Sequence, residues 1–413
     1  MRIDSLQKFY FVAKRAIRSI ERIKFFGIVF YPARYTRDTI WFHRKSKNSY
    51  KWLAKYFDPC ILSIPENSSI LIGILNPIPI ISEKYPGLWN MNPTVYCSDS
   101  ETRIFGRATS FVFNPRTNTR GHNSLTTTNP ETKAPDVDCN SVVRNALFTG
   151  LLMPNGKLAN QKILLPESSP PCLEDVRAFQ YEDQVHLIGT WTTQELDGQH
   201  FVIKQSIAIF ATVTKIFRFL NSPFGLTMEK NWVPIEVIKD KLMVFYSSQP
   251  SRVLEIDLRS TETKVRSIRS HPLKIDFHGR SQFVKIPGGN FIRVASLRMP
   301  IKDFGLVHFS FLLEHNPEYE VIRISRPFLF GTPGFEICNG LQLSSESQMI
   351  FSWGCNDRAS YVAKVPLPEL MHWLENNELV VKNFKSYSWK SLRRIFREIE
   401  AAHLCECKTV VGM

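Results

Sequence analysis

Residues 181–188 read Tyr181-Glu182-Asp183-Gln184-Val185-His186-Leu187-Ile188, a polar turn that runs straight into a short apolar stretch. The same order returns three times. Lys239-Asp240-Lys241 leads into Leu242-Met243-Val244-Phe245, and Pro287-Gly288-Gly289-Asn290 into Phe291-Ile292-Arg293-Val294. Ser344-Ser345-Glu346-Ser347-Gln348 leads into Met349-Ile350-Phe351-Ser352. The four apolar runs start 57, 49 and 58 residues apart. Apolar runs bounded by turn residues are strand signals, and a period near fifty with several strands per unit is the spacing of propeller blades. An earlier unit, Thr109 to Phe113 and then Ser141 to Leu152, fits less regularly and brings the count to five. The pattern predicts an all-β fold, a five-bladed β-propeller over residues 105–368.

Outside that span the character changes. Residues 1–57 read as a basic amphipathic segment, 58–104 as an irregular, proline-rich lead-in, and 369–413 as a helical extension with helices over Glu369–Leu374 and Trp389–His403. Within the first blade, Asn114 to Asn140 is rich in Thr, Asn and Pro and reads as a long loop. Loops of that length in a compact domain are usually functional or disordered.

The chain of 413 residues carries 52 Lys and Arg against 38 Asp and Glu, a formal +14. Partitioned, this is +11 in residues 1–57, −1 in 58–380 and +4 in 381–413. The neutral body lacks a basic strand face with interleaved aromatics, which argues against nucleic acid as a partner. Leu6, Tyr10, Ala13, Ile17 and Ile20 follow helical spacing, with Lys8, Lys14, Arg15, Arg18 and Arg22 mostly between them. Such a helix can lie on an anionic membrane surface or dock its stripe on the body, and a transit peptide is a third reading. No apolar run reaches the roughly 18–20 residues of a membrane span, and the early charges do not suit a secretory signal. The expected location is the cytoplasm, with peripheral membrane contact. The eight cysteines are scattered apart from Cys405 and Cys407, without paired zinc spacing. No metal or cofactor is expected.

Four polar clusters fall at similar points of successive units. They are Glu174-Asp175-Val176-Arg177, Glu229-Lys230-Asn231-Trp232, Phe277-His278-Gly279-Arg280-Ser281-Gln282 and Asn356-Asp357-Arg358. Singly, each could be a surface ion pair worth about 0–1 kcal/mol. A propeller brings equivalent loops of every blade around one axis, so recurrence points to a shared pocket. Carboxylates beside Arg and Lys suit glycosyl transfer, in which an acid protonates a leaving oxygen and cations hold phosphate.

With these residues in place, the segment Cys172–Arg177 resembles the Glu-Asp-Pro-Arg signature of five-bladed propeller β-mannoside phosphorylases and hydrolases. Lys230-Asn231-Trp232-Val233-Pro234 sits where that family leads into its third blade with a Lys. Gly334 to Leu341, followed by Trp353-Gly354-Cys355-Asn356-Asp357-Arg358, is similar to its closing blade. The order and separations agree over residues 170–375. Arg280-Ser281-Gln282 and Ser325 to Phe330 resemble the family's glycosyltransferase-like, β-mannosyltransferase relatives more closely still.

The resemblance implies that Arg177 and Lys230 grip phosphate, that Asp357 binds the sugar where the bond breaks, and that Asp175 supports Arg177. It matches His308 to a histidine of a later strand. Glu174, Asn231, Arg280, Asn356 and Arg358 complete the expected substrate-binding set. Val176 departs from the usual Pro, and the strand Arg293–Leu297 lacks a His that relatives often carry. The family's general acid comes from the blade before Glu174, where Asp136 and Asp138 lie in the right interval; Asp138 is the candidate, with Asp357 as the other catalytic residue. The implied activity is formation or phosphorolysis of a glycosidic bond, mannosyl in type, by inverting single displacement. Its substrate would be a glycan with a sugar phosphate or sugar nucleotide. The alternatives are a non-catalytic glycan-binding or scaffold propeller and a hydrolase of the same fold.

Overall fold

In the computed structural model, the described residues are 72–81, 89–109, 111–114, 119–122, 145–168, 172–197, 200–225, 229–248, 250–269, 277–279, 281–301, 305–331, 334–355 and 359–378. The basic segment 1–57, the second C-terminal helix over Trp389–His403, and Asp136, Asp138, Arg280, Asn356, Asp357 and Arg358 lie outside them.

The strands are β1 (Ile78–Pro79), β2 (Trp89–Cys97), β3 (Thr102–Thr109), β4 (Phe111–Asn114), β5 (Thr119–His122), β6 (Asn145–Leu152) and β7 (Leu158–Ser168). Next come β8 (Cys172–Tyr181), β9 (Gln184–Asp197), β10 (His200–Ala211) and β11 (Phe217–Leu220), then β12 (Val233–Ile238), β13 (Lys241–Ser248), β14 (Ser251–Asp257) and β15 (Thr263–Arg269). The last are β16 (His278–Gly279), β17 (Val284–Lys285), β18 (Phe291–Ile301), β19 (Gly305–His315) and β20 (Val321–Ile324), with β21 (Glu336–Leu343), β22 (Gln348–Cys355) and β23 (Ala359–Pro366). One helix, α1 (Leu367–Asn376), follows.

Five antiparallel sheets form the blades, and β4 pairs with β5 in a separate hairpin. Blade one is β2-β3-β6-β7, blade two β8-β9-β10-β11 and blade three β12-β13-β14-β15. In blade four, β16 and β17 are two pieces of one inner strand against β18, followed by β19 and β20. Blade five is β21-β22-β23 with β1 as its outermost strand. Ile78 pairs with Val362 and Pro79 with Tyr361, so a strand from the start of the described chain completes the last blade. The adjoining Ile81 bridges to Lys157 of blade one. This joins the last blade to the first and closes the ring.

Blades stack face to face, so their inner strands are buried on both sides, and continuous apolar runs result. Every residue of β22 after Gln348 is buried, whereas the outer β15 is largely exposed. The core accordingly divides into inter-blade layers. Leu147, Ala178 and Phe210 pack between blades one and two, and Ile188, Trp232 and Val244 between two and three. Phe245, Phe283 and Phe291 fill the next layer, Ile292, Leu312 and Phe351 the one after, and Val95, Ile104 and Ile350 close the circle. The helix expected over Glu369–Leu374 is present as α1, and it turns Leu370 and Leu374 into the layer between blades four and five.

Two expectations are corrected. The stretch 58–104 contains β1 and β2, and β2 is the innermost strand of blade one. Its Asn90, Asn92 and Pro93 disguise it as a loop; Asn92 and Pro93 form a bulge, where the ladder to β3 shifts register between Met91 and Thr94. The first blade therefore does not begin at Thr109, which ends β3. The loop from Asn114 also holds β5, paired to β4 from Asn114↔Thr119 to Phe111↔His122.

Candidate functional site

In blades one, two and three a residue of positive φ lies in or just ahead of the innermost strand. Asn92 of blade one has φ 48°, Asp175 of blade two 51° and Asn231 of blade three 60°. Asn and Asp tolerate this left-handed conformation better than other side-chain-bearing residues. In blades one and two a bulge of the same form follows, between Met91 and Thr94 and between Glu174 and Arg177. Bulges re-aim side chains. Here they gather polar groups on adjacent blades. Asn92 Nδ2 donates to Asp175 Oδ1 at 2.7 Å, and Arg107 Nη2 meets Glu174 Oε1 at 2.9 Å with both side chains largely buried.

Arg177 is 1 % exposed, and one of its Nη1 hydrogens goes to the carbonyl of Asp175 at 2.8 Å. Burial lowers its pKa to about 10, partly offset by the charge of Asp175 and then by Cys338. Cys338 belongs to blade five, which does not adjoin blade two in the ring, so the guanidinium reaches into the axis.

The closing seam between blades one and five is tight. Thr94 Oγ1 donates to the Asn339 carbonyl at 3.4 Å, Asn339 Nδ2 to the Asn92 carbonyl at 3.4 Å, and Ser352 Oγ to the Pro93 carbonyl at 3.0 Å. Gln282 of blade four crosses the axis, its Nε2 donating to the Val95 carbonyl of blade one at 3.4 Å. These bonds fix the orientation of three buried amides, because each NH2 group faces an acceptor. The oxygens Asn92 Oδ1, Gln282 Oε1 and Asn339 Oδ1 are left without a donor. Buried acceptors without partners are uncommon and costly.

Among the expected site residues, Glu174, Asp175 and Arg177 come together at the mouth, with Asn231 half-buried and Lys230 exposed at the adjoining blade. His308 lies on β19, one strand outside β18, with its ring 4.1 Å from that of Phe335 and its backbone N–H on the Gly334 carbonyl. Glu229 supports the fold: it accepts from Trp232 Nε1 at 3.1 Å and from the Tyr246 hydroxyl at 3.3 Å. Burial and the charge of Glu229 push Tyr246 up to about 12. Asn92 and Arg107 were not singled out in the sequence, whereas Gln282 stood in one of the four polar clusters but not in the expected substrate-binding set. The placement of Asn92-Pro93-Thr94 ahead of its blade parallels that of Asp175-Val176-Arg177 and could have marked the first.

Among the described residues no group of three His, Cys, Asp or Glu side chains is placed to hold a metal ion. No helix among them is long and apolar enough to cross a membrane.

No protein-family model and no curated protein sequence matches the chain. In backbone arrangement it is similar to a GDP-Man-dependent mannosyltransferase from Leishmania mexicana, at 12% identity and TM-score 0.49, covering 71% of this chain and 90% of that one. It is similar also to a mannose phosphorylase of the same organism, solved with phosphate, at 10% identity and TM-score 0.49, covering 84% and 99%. A β-1,2-mannobiose phosphorylase from Listeria innocua gives 12% and 0.47, covering 76% and 99%. Likeness at this level carries no chemistry; the propeller assignment stands on the five sheets and their closure.

Proposed function

We propose that the mouth of this propeller binds a sugar and that the protein forms or phosphorolyses a mannosyl glycosidic bond by inverting single displacement. The observation that carries the sugar reading is the set of three donor-less amide oxygens, on Asn92, Gln282 and Asn339, around one axis. They ask for a ligand rich in hydroxyl donors, and beside them Glu174 and Asp175 offer further acceptors. The mannosyl type and the reaction rest on the motif resemblance. In this reading Arg177 and Lys230 hold the leaving phosphate, Asp357 binds the sugar at the scissile bond, and Asp138 is the general acid. In the synthetic direction that acid serves as base toward the acceptor hydroxyl.

The assay is incubation with mannose 1-phosphate, GDP-mannose and manno-oligosaccharides, following phosphate, GDP and free mannose. Release of phosphate or GDP coupled to glycoside formation supports the reading. Free mannose produced without phosphate or nucleotide makes the protein a hydrolase. A second reading, glycan binding without turnover, is favoured by one feature: Glu174 and Asp175 are already engaged by Arg107 and Asn92. Oligosaccharide binding with no product in any arm selects it.

A further inference from the structure

Strand β15 (Thr263–Arg269) is the outermost strand of blade three, three places out from the axis-lining β12. Among the described residues it pairs only with β14, from Ile256↔Thr263 to Ser251↔Arg269. Its far side is an open sheet edge, a row of backbone N–H and C=O groups of the kind that templates pairing with another strand. The other blades limit such exposure. Their outermost strands β11 and β20 are four residues long and β1 only two. The longer β7 has its start covered, because the Leu158 N–H donates to the Ile81 carbonyl. Strand β15 runs for seven residues with no such cover among the described residues.

The sequence of this edge, Thr263-Lys264-Val265-Arg266-Ser267-Ile268-Arg269, holds three cations and no acid. Val265 and Ile268 are 39% and 57% exposed. Lys264 meets Glu262 at 3.3 Å, and Arg269 meets Glu320, but both pairs stand in solvent, where ion pairs are weak and exchange readily. Arg266 has no ion pair among the described residues. It is the extra residue of a bulge, between Val265↔Leu254 and Ser267↔Val253.

Cations and a bulge on an edge strand guard it against pairing with its own kind. That guard depends on sign. Two copies of β15 laid side by side would set cation against cation. The chain's own residues 1–57, at +11, would be repelled in the same way. An acidic strand meets the opposite situation. Its carboxylates answer Lys264, Arg266 and Arg269, its alternate apolar side chains cover Val265 and Ile268, and its backbone pairs with the open row. An anionic bilayer would answer the cations but offers no strand to that row. We propose that β15 is a docking strand for an extended, acidic segment of a partner protein, which adds to blade three as a fifth strand.

The probe is a fluorescein-labelled peptide of alternating Glu and Val, titrated at low salt into the full-length protein and followed by anisotropy. The comparators are the same peptide with alternate backbone nitrogens methylated and a peptide of alternating Lys and Val. Vesicles of phosphatidylserine and phosphatidylcholine form a separate arm, and amide hydrogen exchange locates the contact. Wild type should bind the Glu-Val peptide saturably, with slowed exchange within Thr263–Arg269, and neither comparator should slow it. R266E should weaken that binding about five- to tenfold, as attraction turns to repulsion at one surface charge, and R266Q should fall between. Circular dichroism checks folding; if R266E does not fold, R266Q and the exchange data decide. Peptide binding that leaves exchange over Thr263–Arg269 unchanged lies elsewhere on the chain and overturns the proposal. Equal binding of the methylated peptide reduces the contact to charge attraction and overturns strand addition. Vesicle binding that R266E abolishes, without peptide binding, gives the edge to a lipid surface and overturns it too, as does the absence of saturable peptide binding.

Discussion

The seam between blades one and five is the place where a single methyl group should act on both stability and binding. A Cβ added at Gly340 would fall on Ser352 Oγ, 2.5 Å from the Val95 nitrogen and 2.9 Å from Thr94 Cα. Two of those contacts are backbone of the neighbouring blade, which cannot rotate away. Gly340→Ala must therefore move β21 from β2. Overpacking of this kind costs about 1–3 kcal/mol. The displaced seam also strains the Ser352–Pro93 and Thr94–Asn339 hydrogen bonds, about 1 kcal/mol each. The expected loss is about 3–5 kcal/mol, which for a domain of this size lowers Tm by roughly 6–20 °C. Gly73→Ala is the control, because nothing lies within 4 Å of its added Cβ. Thermal denaturation followed by circular dichroism reads both. Because Asn92 and Asn339 share the seam, Gly340→Ala should also weaken saccharide binding in whatever fraction stays folded. A Tm for Gly340→Ala within about 2 °C of the Gly73→Ala protein would refute the reasoning, for it would mean the blades close with slack.

Asp357→Asn and Arg177→Ala are each expected to abolish turnover in the mannosyl assays while circular dichroism shows the fold intact; activity like wild type in both sinks the assigned roles. At alkaline pH, Tyr246 contributes a stability loss with a definite sign. Burial and Glu229 raise it from its ordinary 10.0 to about 12, so the unfolded chain gives up this proton first. Its contribution is complete below pH 10 and disappears as pH rises towards 12, and urea midpoints from pH 9 to 12 should fall less steeply for Tyr246→Phe. Removal of residues 1–30 should abolish sedimentation with anionic liposomes at low salt; unchanged sedimentation excludes that segment as the contact.

How far the sequence disclosed this fold depends on burial. The runs Val185–Ile188, Leu242–Phe245, Phe291–Val294 and Met349–Ser352 are second strands, enclosed on both faces, and a continuous apolar run is what that position demands. Strand β15 is as regular in backbone, yet its Lys264, Val265 and Arg266 are all exposed, so no apolar run marks it. The ring closure was not legible at all. Strand β1 is two residues long and pairs with Tyr361 and Val362, nearly the length of the described chain away. Among the candidate site residues, Glu174, Asp175 and Arg177 drew notice because acid and base stood side by side. Glu229 looked the same and is instead bound to Trp232 and Tyr246. Arg293 was not singled out in the sequence, and it is buried against the rings of Phe245 and Phe283.

The body is neutral in sum, yet its interior holds two buried guanidiniums, those of Arg177 and Arg293. Removing a charge from water is favourable only where a partner or hydrogen bonds replace the solvent. Arg177 has Asp175 and its carbonyl nearby, whereas Arg293 has a neutral imidazole and two rings. Cation–π contacts contribute about 0.5–2 kcal/mol, less than the several kcal/mol that desolvating an ion costs. The remainder is met by the inter-blade cores, so burying Arg293 is a net cost that the packing of the blades offsets.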